Sequence, residues 1–352
     1  MFKVKKIISA VLCAAAALAV CSCGGGEKQS IKIYNAGEYI DTSLISKFEK
    51  ENNCSVIYET FDSNETMYTK IMSGEKYDII IPSDYMIERL IKEGMLQKID
   101  KDRLENTDNI IAALRSQPFD ENNEYTVPYF WGSVGILYNK NTVDKADLEN
   151  MGWEILRNTK YAGDIYMYDS ERDSFMVALK ALGYSLNTAD RTQLNEAYDW
   201  LLKQNETMNP IYIGDEVIDS MISGNKSMAI VYSGDAAYIM SENSDLGYFE
   251  PKEGTNVWID AMVMTKDCEN TDLAYKFMNF MTREENAKSN SEAVGYSSAV
   301  ESVFEELKND AYSGISAYSP RQSYEKDEYF RYQDSETKKF CAELWTKVKA
   351  AH

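Results

Sequence analysis

The segment Tyr77-Asp78-Ile79-Ile80-Ile81-Pro82-Ser83-Asp84-Tyr85 decides the fold of this 352-residue chain. Its short apolar run, ended by Pro-Ser-Asp, is typical of a strand buried in a parallel sheet. Other strands and helices alternate around it and give the order βαβαβ, which predicts a parallel sheet with helices on both faces. We predict these neighbouring elements at 31–34, 41–50, 55–60, 64–72 and 85–92.

The alternation of strands and helices continues through the rest of the chain. The length suits two domains of ordinary size, and none of the six prolines marks a linker between them. We therefore expect the chain to cross between two lobes more than once. The later strands are predicted at 134–138, 164–168, 228–232 and 257–264, and the later helices at 174–182, 192–203, 273–281 and 335–350.

The N-terminus indicates export and lipid attachment. Three lysines in the first six residues precede an uncharged apolar run, which is the pattern of a secretory signal peptide. The run is shorter than the about 20 residues of a membrane span. Small residues surround Cys23, as at a lipoprotein cleavage site, and Cys21 is an alternative acylation site. We predict a signal peptide at 1–22, a tether at 23–30 and an extracytoplasmic protein that a lipid on Cys23 attaches to the cell membrane.

The composition excludes several classes of protein. A net charge of −20 disfavours nucleic acid as a partner and favours cations. The only histidine is His352, which excludes Ser-His-Asp and Cys-His catalysis and a His-rich metal site. No catalytic residue, metal or cofactor is therefore predicted. Removal of the signal peptide leaves Cys54, Cys268 and Cys341, which do not form a disulfide framework.

Aromatic residues and carboxylates recur where the predicted strands end, which is where open α/β sheets bind ligands. Trp258 and Asp260 share one face of a strand because side chains alternate. Carboxylates offset the desolvation of an alkylammonium group, and aromatic faces attract it by about 0.5–2 kcal/mol. Each feature alone is equally typical of a core aromatic or a solvated helix N-terminus. The other segments are Ala36-Gly37-Glu38-Tyr39, Pro82-Ser83-Asp84-Tyr85, Asp169-Ser170-Glu171-Arg172-Asp173 and Ser233-Gly234-Asp235.

Seven sequence blocks follow one another along the mature chain. They are Tyr34-Asn35-Ala36-Gly37-Glu38-Tyr39-Ile40, Ser63-Asn64-Glu65-Thr66-Met67-Tyr68, Tyr77-Asp78-Ile79-Ile80-Ile81-Pro82-Ser83-Asp84-Tyr85, Pro128-Tyr129-Phe130-Trp131-Gly132, Val231-Tyr232-Ser233-Gly234-Asp235-Ala236, Glu253-Gly254-Thr255-Asn256-Val257-Trp258-Ile259-Asp260 and Gly295-Tyr296-Ser297. In this order the blocks resemble the spermidine/putrescine-binding proteins of bacterial polyamine ABC transporters.

The resemblance implies a two-lobed type II periplasmic-binding-protein fold. Each lobe would be a mostly parallel sheet with flanking helices, and the ligand would lie in the cleft between the lobes. The implied N-terminal lobe is 31–137 plus 260–299, and the implied C-terminal lobe is 138–259 plus 300–352. A monomer would capture a polyamine by lobe closure and deliver it to an ABC permease and its ATPase.

The resemblance also implies the residues of the binding site. Asp260 would grip a ligand amine and Trp258 would pack on the methylene chain. Two positions depart from the family pattern: Ala36 stands where a Trp is usual and Ser170 where an acid is usual. Unless Asp169 or Glu171 substitutes for that acid, one carboxylate is lost, so the preferred polyamine stays open. The complete predicted set is Glu38, Tyr39, Ser83, Asp84, Tyr85, Asp173, Tyr232, Asp235, Trp258, Asp260 and Tyr296.

Two alternatives remain at this point. The first is the same fold with another cargo, such as ferric iron, a sugar or an amino acid. The carboxylate of an amino acid would need a cation, and Arg172 is the only cation in the strand-end segments given above. The second is a secreted glycoside hydrolase that uses Asp173 and Asp235 as acid and base.

Overall fold

The computed structural model describes residues 28–351, where strands and helices alternate as expected. The predicted signal peptide, the predicted acylation site Cys23 and the tether up to residue 27 lie outside this range. The strands are β1 Ser30–Ala36, β2 Ser55–Phe61, β3 Ile79–Ile80, β4 Val127–Asn139, β5 Ile165–Tyr168, β6 Ile211–Ile213, β7 Met228–Tyr232, β8 Leu246–Phe249, β9 Val257–Met264 and β10 Ser297–Ser298.

The helices lie between these strands and after the last of them. Within the described residues, none is both long enough and apolar enough to cross a membrane. The helices are α1 Thr42–Asn52, α2 Asn64–Met72, α3 Asp84–Lys92, α4 Lys145–Met151, α5 Glu171–Ala181, α6 Arg191–Met208, α7 Val217–Ile222, α8 Ser233–Glu242, α9 Thr271–Met281, α10 Glu284–Val294, α11 Glu301–Asn309 and α12 Ser335–Ala350.

The sheet is parallel at its two ends and antiparallel in its middle. Its strand order is β2-β1-β3-β9-β4-β7-β5-β6, and β8 and β10 also pair with β4. The β1 strand is parallel to β2 and β3, and β5 is parallel to β6 and β7. The strands β3, β9, β4 and β7 are successively antiparallel. Each parallel end forms the centre of one lobe, so the predicted two-lobed α/β fold is confirmed.

The long strand β4 passes from one lobe into the other. Its first half, from Val127 to Ser133, pairs with β9, and its second half, from Val134 onward, pairs with β7 and β8. The β9 strand starts at the same point, where the amide of Val134 donates to the carbonyl oxygen of Asn256 at 3.0 Å. The predicted repeated crossing is therefore present, while the lobe boundaries given above stay a prediction.

A third crossing lies beside these two strands. The amide of Val257 donates to the carbonyl oxygen of Glu328, and the amide of Glu328 donates to that of Thr255, both at 3.0 Å. The carboxylate of Glu328 binds the buried ammonium of Lys180 on α5. The segment 326–331 is thus anchored to the C-terminal lobe next to the point where β4 and β9 cross.

The predicted elements differ from the observed ones where Pro and Gly interrupt the apolar pattern. The prediction begins β4 at residue 134, whereas the strand begins at Val127, because Pro128 and Gly132 are poor strand formers. Pro128 is accommodated by a register shift between it and Phe130. The α2 helix has Ser63 as its N-cap, in a capping box with Thr66.

Candidate ligand-binding site

The predicted site residues converge where β1, β3 and β7 end and β9 runs past them. Tyr39 follows β1, Ser83 follows β3 and Asp235 lies in the first turn of α8 directly after β7. Ser83 forms an isolated antiparallel bridge with Asp260 of β9. Backbone pairing thus brings the carboxyl end of β3 against the strand that carries Trp258, as the rule for open sheets predicts.

Asp260 is a half-buried carboxylate with one tyrosine partner. The hydroxyl of Tyr39 donates to its Oδ2 at 2.7 Å. Its Oδ1 is buried and has no hydrogen-bond partner among the described residues. Burial raises the pKa of Asp260 to about 6, since desolvation penalises the charged form and the hydroxyls of Tyr39 and Ser83 offset only part of that penalty. The site therefore holds an acceptor atom that no donor within residues 28–351 satisfies.

Tyr39 is held in place through its backbone. Glu38 precedes it with a φ of 51°, which turns the chain sharply after β1. The carbonyl oxygen of Tyr39 then accepts hydrogen bonds from Nδ2 of Asn35 at 3.3 Å and from the hydroxyl of Tyr129 at 2.8 Å. Asn290 donates in turn to the Tyr129 hydroxyl at 2.8 Å. This buried network fixes the position from which Tyr39 reaches Asp260.

Asp235 repeats the arrangement of Asp260. The hydroxyl of Tyr296 donates to Oδ1 of Asp235 at 2.8 Å. Burial raises the pKa of Asp235 to about 7, and the nearby charge of Asp215 adds to the effect. A side chain at Gly234 would overlap the Tyr296 ring, so glycine is required for this close approach.

The aromatic rings of these residues contact one another between the two carboxylates. The Tyr39 and Tyr296 rings meet edge to face with centroids 5.2 Å apart. Trp258, which is 7% exposed, lies 5.5 Å from the Tyr296 ring and 6.3 Å from the Tyr232 ring. A side chain at Gly132 would overlap the Trp258 indole, so the indole packs directly on the β4 backbone. Together the rings form a polarisable wall that joins Asp260 to Asp235.

Asp173 is a third buried carboxylate with a tyrosine partner. The hydroxyl of Tyr232 donates to its Oδ2 at 2.9 Å, and its own amide donates to the hydroxyl of Ser170 at 3.4 Å. The pKa of Asp173 is raised, because burial disfavours the charged form. Hydrogen bonds from Ser170 and Tyr232 and the charge of Arg172 reduce this rise without reversing it. Arg172 thus supplies part of the compensation that Asp235 and Asp260 lack.

Three predicted site residues lie in other surroundings. Glu38 is exposed. Asp84 is buried and accepts from the backbone amides of Tyr85 at 2.6 Å and Ile259 at 3.4 Å, and burial raises its pKa. The Tyr85 hydroxyl donates to Glu65 at 3.1 Å. Their roles as ligand contacts stay predictions.

Two residues of the site were not predicted. The hydroxyl of Tyr168 donates to Asp215 at 3.0 Å, and its ring meets that of Tyr232 at 5.1 Å. Tyr168 ends β5, so the rule that ligands bind beyond strand ends could have identified it. Asp215 follows β6, a three-residue strand that the apolar pattern does not reveal.

The arrangement is suited to binding a cation. No Lys or Arg in residues 28–351 forms an ion pair with Asp173, Asp235 or Asp260, so a cationic ligand would offset their buried charge. Flanking Trp and Tyr faces favour an alkylammonium ion over a compact metal ion. In the same residues, no group of His, Cys, Asp and Glu side chains is placed to hold a metal.

The chain also matches a known family. Residues 43–313 match the sequence model of the family described as bacterial extracellular solute-binding protein, and these residues span most of the chain. The chain belongs to this family. This finding confirms the resemblance carried by the seven sequence blocks.

Relatives of this solute-binding protein cover about nine tenths of the chain. It is 32% identical over 317 residues to the spermidine/putrescine-binding periplasmic protein of Salmonella typhimurium, with 90% of each chain covered. The solved substrate-binding protein of a spermidine/putrescine ABC transporter from Streptococcus pneumoniae is 37% identical, with a TM-score of 0.80 and 92% and 99% of the two chains covered. A putative spermidine/putrescine ABC transporter from Listeria monocytogenes is 36% identical, with a TM-score of 0.82 and 92% and 100% covered.

The raised pKa values predict how stability depends on pH in the ligand-free protein. Between the ordinary carboxyl pKa of about 4 and pH 7, Asp235 and Asp260 bind more protons in the folded than in the unfolded state. The free energy of unfolding therefore falls as pH rises, by about 2 kcal/mol between pH 5.5 and 7.5. Urea unfolding at the two pH values measures this change.

A double variant provides the control for this pH dependence. Asp235→Asn combined with Asp260→Asn should remove the part of the fall that these two carboxyls cause, because neither amide titrates, while Asp84 and Asp173, whose pKa values are also raised, leave a residual slope. Glu59 and Glu88, whose pKa values are lowered to about 2, titrate below the window and do not interfere. An unchanged slope in the double variant would contradict the assignment to these two carboxyls.

Proposed function

We propose that this chain is the polyamine-binding component of an ABC importer and works outside the cytoplasm. The observation that carries the proposal is the buried, unpartnered Oδ1 of Asp260 next to Trp258 on one face of β9. A buried acceptor needs a donor, and an ammonium group offers donors and a compensating charge. The relatives named for spermidine and putrescine support a polyamine as the source of that group.

Asp235 would bind a second ammonium group. Like Asp260, it is capped by one tyrosine hydroxyl and lacks an ion-pair partner among the described residues. The rings of Tyr39, Tyr296 and Trp258 between the two carboxylates would cover the methylene chain of the ligand. Two unneutralised carboxylates match the two charges of a diamine such as putrescine or cadaverine.

Asp173 is suited to a weaker role in this proposal. Its charge is already offset in part by Arg172, whereas no cation offsets Asp235 or Asp260 among the described residues. Ser170, at the position where an acid is usual, uses its hydroxyl to cap this helix and adds no second charge. A third ammonium group would therefore gain less here than the first two gain at Asp260 and Asp235.

The same proposal covers the mechanism and the partners. The two lobes, with the boundaries predicted from the sequence, would close on the ligand by bending at their crossings. A monomer would then present the ligand to an import permease whose ATPase supplies the work. We propose no reaction on the chain itself, since its relatives are named as binding components and not as hydrolases.

An amino acid is a less suitable cargo than a polyamine. The carboxylate of an amino acid needs a cation, and Arg172 is the only candidate in the strand-end segments named in the sequence analysis. The guanidinium of Arg172 already lies over the Tyr85 ring at 3.7 Å and pairs with Glu65 at 3.8 Å. It is thus engaged by the protein.

A ligand panel tests the proposed cargo. Calorimetry and thermal shift with putrescine, cadaverine, spermidine, spermine and common amino acids should show binding of amines only, with diamines at least as tight as the longer polyamines. Bound ligand raises the melting temperature by mass action. If none of the amines binds, the cargo assignment is wrong even though the fold is right.

Asp260→Ala tests the central contact. The substitution should weaken diamine binding by about 2 kcal/mol or more, because it leaves a buried ammonium unpaired. Asp245→Ala, at an exposed site, is the matched control and should leave affinity unchanged. Calorimetry with putrescine measures both, and equal affinities of the two variants would refute the role of Asp260.

The lipid anchor belongs to the same proposal. Cys23→Ala should abolish labelling with radioactive palmitate and release the protein from the membrane fraction, because the acylated side chain is lost. Cys21→Ala is the matched control and should retain both label and membrane attachment. Loss of label in Cys21→Ala alone would move the anchor to that residue.

A further inference from the structure

The two lobes are joined by ion pairs in addition to the three backbone crossings. Glu65 on α2 accepts from the ammonium of Lys338 on α12 at 3.1 Å and lies 3.8 Å from the guanidinium of Arg172 on α5. The hydroxyl of Tyr85 on α3 donates to the same carboxylate at 3.1 Å. The Arg172 guanidinium lies over the Tyr85 ring, 3.7 Å from its centroid. One N-terminal-lobe acid thus holds two C-terminal-lobe cations.

A second set of ion pairs lies nearby. Glu88 on α3, whose side chain is 6% exposed, accepts from Nε of Arg331 at 3.0 Å and from its second guanidinium nitrogen at 2.7 Å. The amide of Tyr332 donates to the same carboxylate at 2.8 Å. The amide of Arg331 in turn donates to Asn187, which fixes this segment to the C-terminal lobe.

The two sets of ion pairs share the same distribution of charge between the lobes. The N-terminal lobe supplies the acids and the C-terminal lobe supplies the cations, so each pair favours approach of the lobes. Although burial raises the pKa of Glu65, the charges of Lys338 and Arg172 outweigh that effect and lower it. In this arrangement the carboxylate is therefore charged at neutral pH.

The two acids differ in what they would lose when the lobes separate. Glu88 would keep its ion pair with Lys92, which lies four residues along the same helix at 2.9 Å. Within residues 28–351, Glu65 forms ion pairs only with Arg172 and Lys338, both from the opposite lobe. Opening would thus remove both cations from Glu65, which makes this residue the more sensitive to closure.

We propose that Glu65, Arg172 and Lys338 form a latch that stabilises the closed state whichever ligand is bound. The apparent Kd is the intrinsic Kd divided by the fraction of molecules that can adopt the binding-competent closed state. A residue that changes this fraction therefore changes the apparent Kd of every ligand by one common factor. A residue that touches the ligand instead changes affinities by factors that depend on the ligand. The latch rests on the proposed function for the closure of the lobes and for the choice of amines as probes.

Glu65→Gln tests the latch. The Kd values of putrescine, cadaverine and spermidine should all rise by the same factor, about three- to tenfold, because two partly exposed ion pairs are lost. The variant should also show a weaker dependence of Kd on salt between 50 and 300 mM than the original protein, since screening acts on these pairs. Calorimetry measures both effects, and circular dichroism checks that the variant is folded.

Two further variants complete the experiment. Glu93→Gln is the matched control. Glu93 directly follows α3, its carboxylate pairs only with Arg89 and Tyr68 of its own lobe within residues 28–351, and the Kd values of this variant should stay unchanged. Lys338→Gln should resemble Glu65→Gln, and the double variant should be less weakened than the sum of the two singles predicts.

Each alternative result decides against the latch. If the ratio of variant to original Kd differed between the three amines, Glu65 would be a ligand contact and not a latch residue. If Glu65→Gln and Lys338→Gln left all Kd values unchanged, these ion pairs would not affect closure. Absence of amine binding in the original protein would instead refute the proposed function.

Discussion

The structure depends on one electrostatic constraint, the burial of carboxylates that have no cation of their own. Asp235 and Asp260 are desolvated where the lobes meet, and burial raises their pKa values to about 7 and about 6. Each receives a single tyrosine hydroxyl, which supplies a hydrogen bond without neutralising the charge. An uncompensated buried charge is costly, and the proposed cationic ligand would offset that cost.

The fold supplies rigidity where that constraint needs it. Tyr39 is held by Asn35 and Tyr129, and Tyr296 fits against Gly234, so the hydroxyls are positioned by the backbone rather than by the ligand. Asp260 lies on the strand that pairs with β4 and β3, close to the crossing between lobes. Asp260 and the crossings between the two halves of the sheet are therefore built from the same strands.

Much of this architecture could be predicted from the sequence. The buried run at 79–81, with alternating helices, predicted the parallel ends of the sheet, and the alternation on β9 placed Trp258 beside Asp260. The antiparallel middle could not be predicted, because Pro128 and the glycines of β4 obscure a thirteen-residue strand. Contacts between side chains that are distant in sequence also could not be predicted from local sequence patterns. The contact of Tyr39 with Asp260 joins residues 221 positions apart, and the engagement of Tyr85 with Glu65 and Arg172 depends on how two lobes meet.

The continuous β4 strand has a further consequence. Because its two halves are hydrogen-bonded into different lobes, and β9 and the 326–331 segment cross beside it, the lobes cannot reorient independently about a loose linker. Any bending there reorients both outer surfaces together and approximates a motion with one degree of freedom. A partner that touches both outer surfaces can thus distinguish a filled cleft from an empty one by their relative orientation, without contact with the ligand.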